Sequence, residues 1–284
     1  MPSPPLSIGQ CATLACVLEA TAPKVGNVHR GADFGDLSFA DFLVSAVAIG
    51  PVMEQAASVG VGRTVLAAVE ATRIRTGTNV NLGIALLLAP LAAIPSNASL
   101  RNGVAAVLRN LTPDDSRLVY EAIGLAQPGG LGKVATMDVA GPPPALLLDA
   151  MAAASDWDLI ARQYVTGFAL VLDEVAPALI RGRERGWSLT DAIIRTHVEQ
   201  IARHGDSLIV RKCGPEVGER ASAMARGVLV VGGPGDENYL RALSEFDFWL
   251  RSDGHRRNPG TTADLIAAGL FAALRDGLLP PPWR

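Results

Sequence analysis

The sequence predicts an all-α fold, a single multi-helix bundle of roughly 11–13 helices spanning residues 1–284. Three observations carry that reading. Apolar residues recur at three- and four-residue spacing through most of the chain, the period of one helix face. Alternating β-branched runs are absent, and residues 228–231 read as readily as the apolar end of a helix as a strand. Glycine and proline gather in short connections (GADFGD, QPGGLGK, AGPPP, GGPGD, GHRRNPG) that punctuate the periodic segments.

Ser7 is placed to N-cap a first helix running to about Ala20, with Cys11, Leu14, Val17 and Leu18 on its apolar stripe. Ser38 caps a second, 39–58, in which Pro51 predicts a kink or break. Helices follow near 62–76, 80–95, 99–110, 113–126 and 143–153. Asp156 opens a long one to about Arg183, and 189–204, 214–231, 236–251 and 260–277 complete the set. Pro142–Pro144 is the best candidate for a soft division between halves, or else no more than a stiff loop. No fixed-period repeat occurs.

Bulk composition excludes several classes. At 49% hydrophobic and 19% charged, the chain has ample apolar content to fold and is not disordered. A net charge of −3 gives no global basic field, so no nucleic-acid partner is expected. Cys11, Cys16 and Cys213 form no C-x-x-C and no zinc spacing, which fits reduced thiols and a cytoplasmic location. The first ten residues lack a signal-peptide pattern, and the longest apolar run, 82–94, is interrupted by Pro90 and is too short for a bilayer, so no membrane is expected. An alanine-rich helical surface allows a homodimer.

The chemistry concentrates at five loop-to-helix junctions. In the first, 22–36, Lys24, Asn27 and Arg30 are candidate phosphate contacts, and Gly26 permits close backbone approach. Asp33 and Asp36 either bind Mg²⁺ or cap the next helix. The second, 77–83, puts Asn79 and Asn81 at the mouth of the most apolar helix, where buried amides need partners and free N–H groups attract anions. The third, 127–138, is glycine-rich, with Gly130 and Lys133 for an anion and Asp138 for a metal; Val134 after the lysine rules out a Walker A loop. The fourth joins Asp206 to Arg211 and Lys212. The fifth, 255–264, brings Asn258, Gly260, Thr261 and Thr262 to a helix start, with Asp264 one turn further. Only three of the 25 basic residues are lysines, at 24, 133 and 212, all in glycine- or proline-containing stretches. A compact ammonium against phosphate is one reason for that choice, chance the other.

Together the junctions supply cations, carboxylates and helix N-termini suited to a polyphosphate bridged by Mg²⁺. The histidines, at 29, 197, 204 and 255, are dispersed, and no G-x-S-x-G or H-E-x-x-H pattern occurs.

The ordered set PKVGNVHR, TNVNLG, GGLGKVATMDV, DSLIVRKCG and NPGTTADLIAAGLF resembles the triphosphoribosyl-dephospho-CoA synthase family, from about residue 15 to 275. The resemblance implies an all-helical, ATP- and Mg²⁺-dependent transferase that moves the triphosphoribosyl group of ATP to the 2′-hydroxyl of dephospho-CoA and releases adenine. It implies Asp36, Asp206 and Asp264 as catalytic candidates, and these with Asp138 as metal ligands. Family members serving citrate lyase carry Gly-Ala-His-x-Asp where this chain has 31–36, and Asn-Thr-His-Lys-Gly where it has 79–83. Lys24 and His29 are the candidate stand-ins for the missing lysine and histidine. Two alternatives remain open here: the same chemistry on another small coenzyme acceptor, as in one-carbon carrier biosynthesis, or a helical nucleotide- or coenzyme-binding protein without turnover.

Overall fold

A computed structural model describes residues 5–78, 80–129, 137–281 and 283. It is all-helical. The helices are α1 (Ile8–Thr21), α2 (Phe39–Glu54), α3 (Ala56–Val59), α4 (Val61–Thr76), α5 (Leu82–Ala92), α6 (Leu100–Arg109) and α7 (Pro113–Ala126). Then follow α8 (Leu147–Ala154), α9 (Leu159–Thr166), a π-helical turn (Leu170–Val175), α10 (Ala176–Glu184) and α11 (Leu189–His204). The chain closes with α12 (Ser207–Cys213), α13 (Pro215–Val230), α14 (Glu237–Arg251) and α15 (Gly260–Arg275). Strand structure among the described residues is confined to Ser252–His255 and an isolated bridge between His29 and Ala32.

Local signals set most boundaries. Ser7 with Gln10, Ser38 with Asp41, and Thr112 with Asp115 each form a reciprocal capping box at the starts of α1, α2 and α7. Three boundaries differ from the sequence expectation. The 39–58 helix breaks at Gln55, four residues after Pro51, into α2 and α3. The 156–183 helix is two elements bent by 93°, because Gly167 and Phe168 both adopt left-handed backbone. That conformation is costly for phenylalanine, and burial of its ring in the core over-determines it. Residues 207–213, expected as a connection, form α12, which Asp206 caps.

Two apolar clusters organise the packing. The larger draws on α1, α2, α4, α5, α7, α9, α10 and α15; the smaller joins Val25 to α11, α12, α13 and α14. Helix α15 is buried from Leu265 to Leu274 and packs on α1, α5, α10 and α11. Its hydrophobicity all round is what an interior helix requires. Gly269 lets α15 meet the π-helical turn so closely that a Cβ would overlap Val175. No single helix among the described residues is long and apolar enough to cross a membrane; the α9 and π-turn–α10 pair reaches that length only across its bend.

Helix α4 crosses α7 at Gly62, whose N–H donates to Asp115 Oδ1 at 2.7 Å. A Cβ there would lie 2.5 Å from Asp115 Cα, which is backbone and cannot rotate away. Gly62→Ala should therefore destabilise by roughly 1–3 kcal/mol, despite alanine's better helix propensity. A lower urea midpoint at unchanged m-value checks it.

Candidate functional site

The starts of α5, α9, α12 and α15 converge on a cavity of about 210 Å³. The convergence is built by side chains at those starts. Asp206 caps α12, its Oδ1 accepting from the Leu208 and Ile209 N–H groups at 2.9 and 3.0 Å. Its Oδ2 accepts from the Thr262 N–H at 2.7 Å and the Thr262 hydroxyl at 2.8 Å. Asp158 caps α9 in the same way and meets Arg211 Nη1 through its other oxygen at 3.3 Å. Ser207 donates to Thr261 Oγ1 at 3.0 Å. Gly83 lies against Asp264 so closely that a Cβ there would overlap the carboxylate.

Asp264 stands apart from the other acidic residues. It lines the cavity, is partly buried, and has no hydrogen-bond or ion-pair partner among the described residues. Burial raises its pKa well above the usual carboxylate range, and the neighbouring Glu19, Asp206 and Asp158 push it further; Arg211 opposes. Lys212 is the complementary group. Its ammonium also lacks a partner among the described residues, and burial followed by the Arg211 charge lowers its pKa. Around these two lie unsatisfied buried polar atoms: both amide atoms of Asn81, the Oδ1 atoms of Asn27 and Asn258, and Arg211 Nε. Buried polar atoms are rarely left unpaired in a folded protein, so this concentration points to a polar ligand.

Two further cavities adjoin. One, of about 370 Å³, shares Asn81, Lys212 and Asn258 with the centre and adds Asp36, Thr78, Arg73 and His255. The other, of about 540 Å³, shares Ile160 and Arg211 and is mainly apolar, with Asp138 and Asp158 among its lining residues.

Of the residues expected from sequence, Asn27, Asn81, Arg211, Lys212, Asn258, Gly260, Thr261 and Asp264 line the central cavity. Asp36 lines the polar neighbour, where it pairs with His255 Nδ1 at 3.2 Å and caps nothing; Ser38 and Asp41 cap that helix. Asp33 does assist the cap, accepting from the Phe39 N–H at 2.6 Å. Asp138 lines the apolar cavity and accepts from the Ala140 N–H at 2.8 Å.

Five expectations meet different geometry. Lys24 is fully buried and gives its ammonium to Glu19 Oε1 at 2.8 Å and to the carbonyls of Glu19 and Ala22. All three donors are used, so it is no stand-in for a phosphate-binding lysine in this arrangement. Gly26 adopts left-handed backbone to fit against Pro259 and Leu250, and its N–H donates to Asp247. Arg30 is solvent-exposed and belongs to none of the three cavities. Asp206 and Thr262 satisfy one another, which leaves neither for metal or phosphate. Asn79, Gly130 and Lys133 lie outside the described residues. His29, the other stand-in, accepts from the Gly31 N–H at 3.1 Å, and burial first, then Arg251, depresses its pKa.

Sequence reading missed Glu19, Asp158 and Trp157. Glu19 looks like any polar residue near the end of an amphipathic helix, and nothing local reports that it is buried. Asp158 did carry a signal, since an aspartate before an apolar helical run is a cap; the predicted start two residues earlier hid it.

A profile of the ATP:dephospho-CoA triphosphoribosyl transferase (CitG) family matches residues 5–281. Among solved structures, the chain is similar to a crystal structure of an Archaeoglobus fulgidus protein named for triphosphoribosyl-dephospho-CoA synthase activity. The two are 27% identical with a TM-score of 0.64, covering 85% of this chain and 100% of that one. No protein of curated function matches the sequence.

The two aspartates should separate experimentally. Asp206→Ala removes a cap and strands buried donors, so a loss of roughly 3 kcal/mol is expected in urea unfolding. Asp264→Asn should instead stabilise the fold at pH 8. The folded pKa of Asp264 lies above its unfolded value, so folding with the charged form carries a penalty that is absent below about pH 4 and grows as pH rises. The thermal gain from Asp264→Asn should accordingly vanish toward pH 4; a gain constant with pH would contradict this account.

Proposed function

The chain belongs to the ATP:dephospho-CoA triphosphoribosyl transferase family, and from that premise we propose how its central cavity carries out the transfer. The reaction moves the triphosphoribosyl group of ATP to dephospho-CoA and releases adenine. The full-length family match favours this over the same chemistry on another acceptor and over binding without turnover. In bond terms, the ribose C1′–N9 bond of ATP breaks and a bond from C1′ to the 2′-oxygen of dephospho-CoA forms. The hydroxyl proton must be accepted, and adenine leaves with a proton of its own.

One observation carries the assignment of roles: of the carboxylates lining the cavities, Asp264 has no partner among the described residues, while Glu19, Asp36, Asp138 and Asp158 are each bonded. In this reading Asp264 accepts the proton of the incoming hydroxyl. A raised pKa suits that work, because proton transfer is most effective when the base's pKa approaches ambient pH. As an anion beside C1′, the same group also stabilises positive charge developing on the ribose. Lys212 and the Gly260–Thr261 end of α15 hold phosphate oxygens, with Arg73 and His255 further along the polar cavity. Thr262 and Ala263 already donate to Asp206 and the Pro259 carbonyl, so the N–H groups of Gly260 and Thr261 remain for an anion.

Mg²⁺ is part of the same proposal. Among the described residues no group of three His, Cys, Asp or Glu side chains is placed to hold a metal. Magnesium on a nucleotide commonly takes only one or two protein carboxylates beside the phosphates. Asp36 and the unpartnered Asn258 Oδ1, both lining the polar cavity, fit that demand. When bound, the ion would neutralise charge on the triphosphate. A cytoplasmic location belongs to the same reading and agrees with the three unbridged cysteines.

Chromatographic measurement of adenine from ATP, Mg²⁺ and dephospho-CoA tests the reading. Asp264→Asn is expected to lower kcat by about 100-fold or more, as loss of a general base does. Lys212→Ala is expected to raise the KM for ATP roughly tenfold, the scale of one charge-assisted hydrogen bond. Near-normal turnover by Asp264→Asn would remove the carboxylate from the chemistry.

A further inference from the structure

We infer that the apolar cavity beside Arg211 is the subsite for the pantetheine arm of dephospho-CoA and sets which acceptor this enzyme uses. The inference rests on the reaction assigned above and adds a binding site to it. The cavity, about 540 Å³, is lined by Leu86, Ile123, Leu147, Met151, Ile160 and Trp157 among others. That volume is in the range of small-molecule sites, and its walls offer few of the fixed donors and acceptors that reading a purine edge would require. A flexible arm of methylenes, two amides and a thiol suits such walls. Trp157 is 50% exposed and Met137 40%, so two large apolar side chains of the lining are left open to solvent.

The order of groups supplies the second argument. Dephospho-CoA presents, in sequence, the reacting ribose hydroxyl, a diphosphate, and then the pantetheine arm. The structure presents, in the same sequence, Asp264 in the central cavity, Arg211 on the wall shared by two cavities, and then the apolar cavity. Arg211 spends one Nη on Asp158 and keeps a buried Nε without a partner among the described residues, so it has a donor left for a phosphate oxygen. The triphosphate of the donor takes the opposite direction, toward Lys212, Arg73 and His255. Placing the arm there instead would set an apolar chain among cations and leave the apolar walls wet.

Gly124 provides a test that spares the fold. It lies within α7, lines the apolar cavity, and a Cβ added to it meets no atom within 4 Å. Gly124→Leu therefore fills cavity space while favouring the helix. Calorimetry would compare dephospho-CoA with ADP, which has the same ribose and diphosphate but no arm, on wild type and variant. Adenine release would be followed in parallel. Wild type should bind dephospho-CoA about tenfold or more tightly than ADP, and Gly124→Leu should erase that advantage by blocking apolar contacts. Trp157→Ala should reduce it in the same direction, and the KM for ATP should stay within about twofold of wild type in both, since on this assignment ATP binds elsewhere. An undiminished preference for dephospho-CoA in Gly124→Leu would overturn the inference. So would a rise in the KM for ATP alone, which would give the cavity to the donor's adenine. If wild type released no adenine yet the binding preference appeared and Gly124→Leu abolished it, the subsite would stand and the assigned reaction would fall.

Discussion

The carboxylate of Asp206 ties together the structure on which the site depends. Two of its hydrogen bonds start α12 and two hold the first turn of α15, so one buried side chain fixes the distance and angle between two helix ends. Desolvation works against that arrangement and raises the pKa of Asp206, while the four hydrogen bonds stabilise the charged form and oppose the shift. Because α15 starts where Asp206 holds it, Asp264 is presented one turn later against Gly83. Because α12 starts there too, Arg211 and Lys212 on its last turn reach the same cavity.

The centre of the site is electrostatically unfavourable in the free protein. Asp264 is desolvated near Glu19, Asp206 and Asp158, and Lys212 is partly desolvated beside Arg211. Each group disfavours its own charged state there. Such pairs of groups, pushed away from their ordinary ionisation by burial and by like charges, cluster where proton transfer and anion binding occur. Glu19 adds to the strain on Asp264 even while its own carboxylate is paired with Lys24 inside the core. That buried pair also anchors the 22–28 loop, whose Gly26 packs on Pro259 just before α15. The first polar junction thus supports the fifth, and its lysine is spent inside the core rather than on a ligand.

Much of the fold was legible because its determinants are local. Ser7, Ser38 and Thr112 start helices through contacts to residues three positions on, and Pro23 and Pro128 follow the ends of two of them; both features are written in the chain. The failures were also physical. The bend at Gly167–Phe168 needs a phenylalanine held in left-handed backbone, which only its tertiary burial makes tolerable. The α12 helix is seven residues long and owes its place to Asp206 and α15 rather than to its own propensity.

The sequence by itself determined the helical class, the order of the polar junctions and, through five short segments, the family and its reaction. Those are properties of residue type and spacing, and they survive without coordinates. Tertiary structure alone decided which of those polar residues are free. Asp206 and Asp264 are the same residue type in comparable loop-to-helix settings, and Lys24 and Lys212 are equally prominent as isolated lysines. Folding satisfies Asp206 with Thr262 and Lys24 with Glu19, and leaves Asp264 and Lys212 facing a shared cavity. A hydrogen bond between residues 56 apart in sequence leaves no local trace, so whether a buried group is structural or available for chemistry is settled by what packs against it.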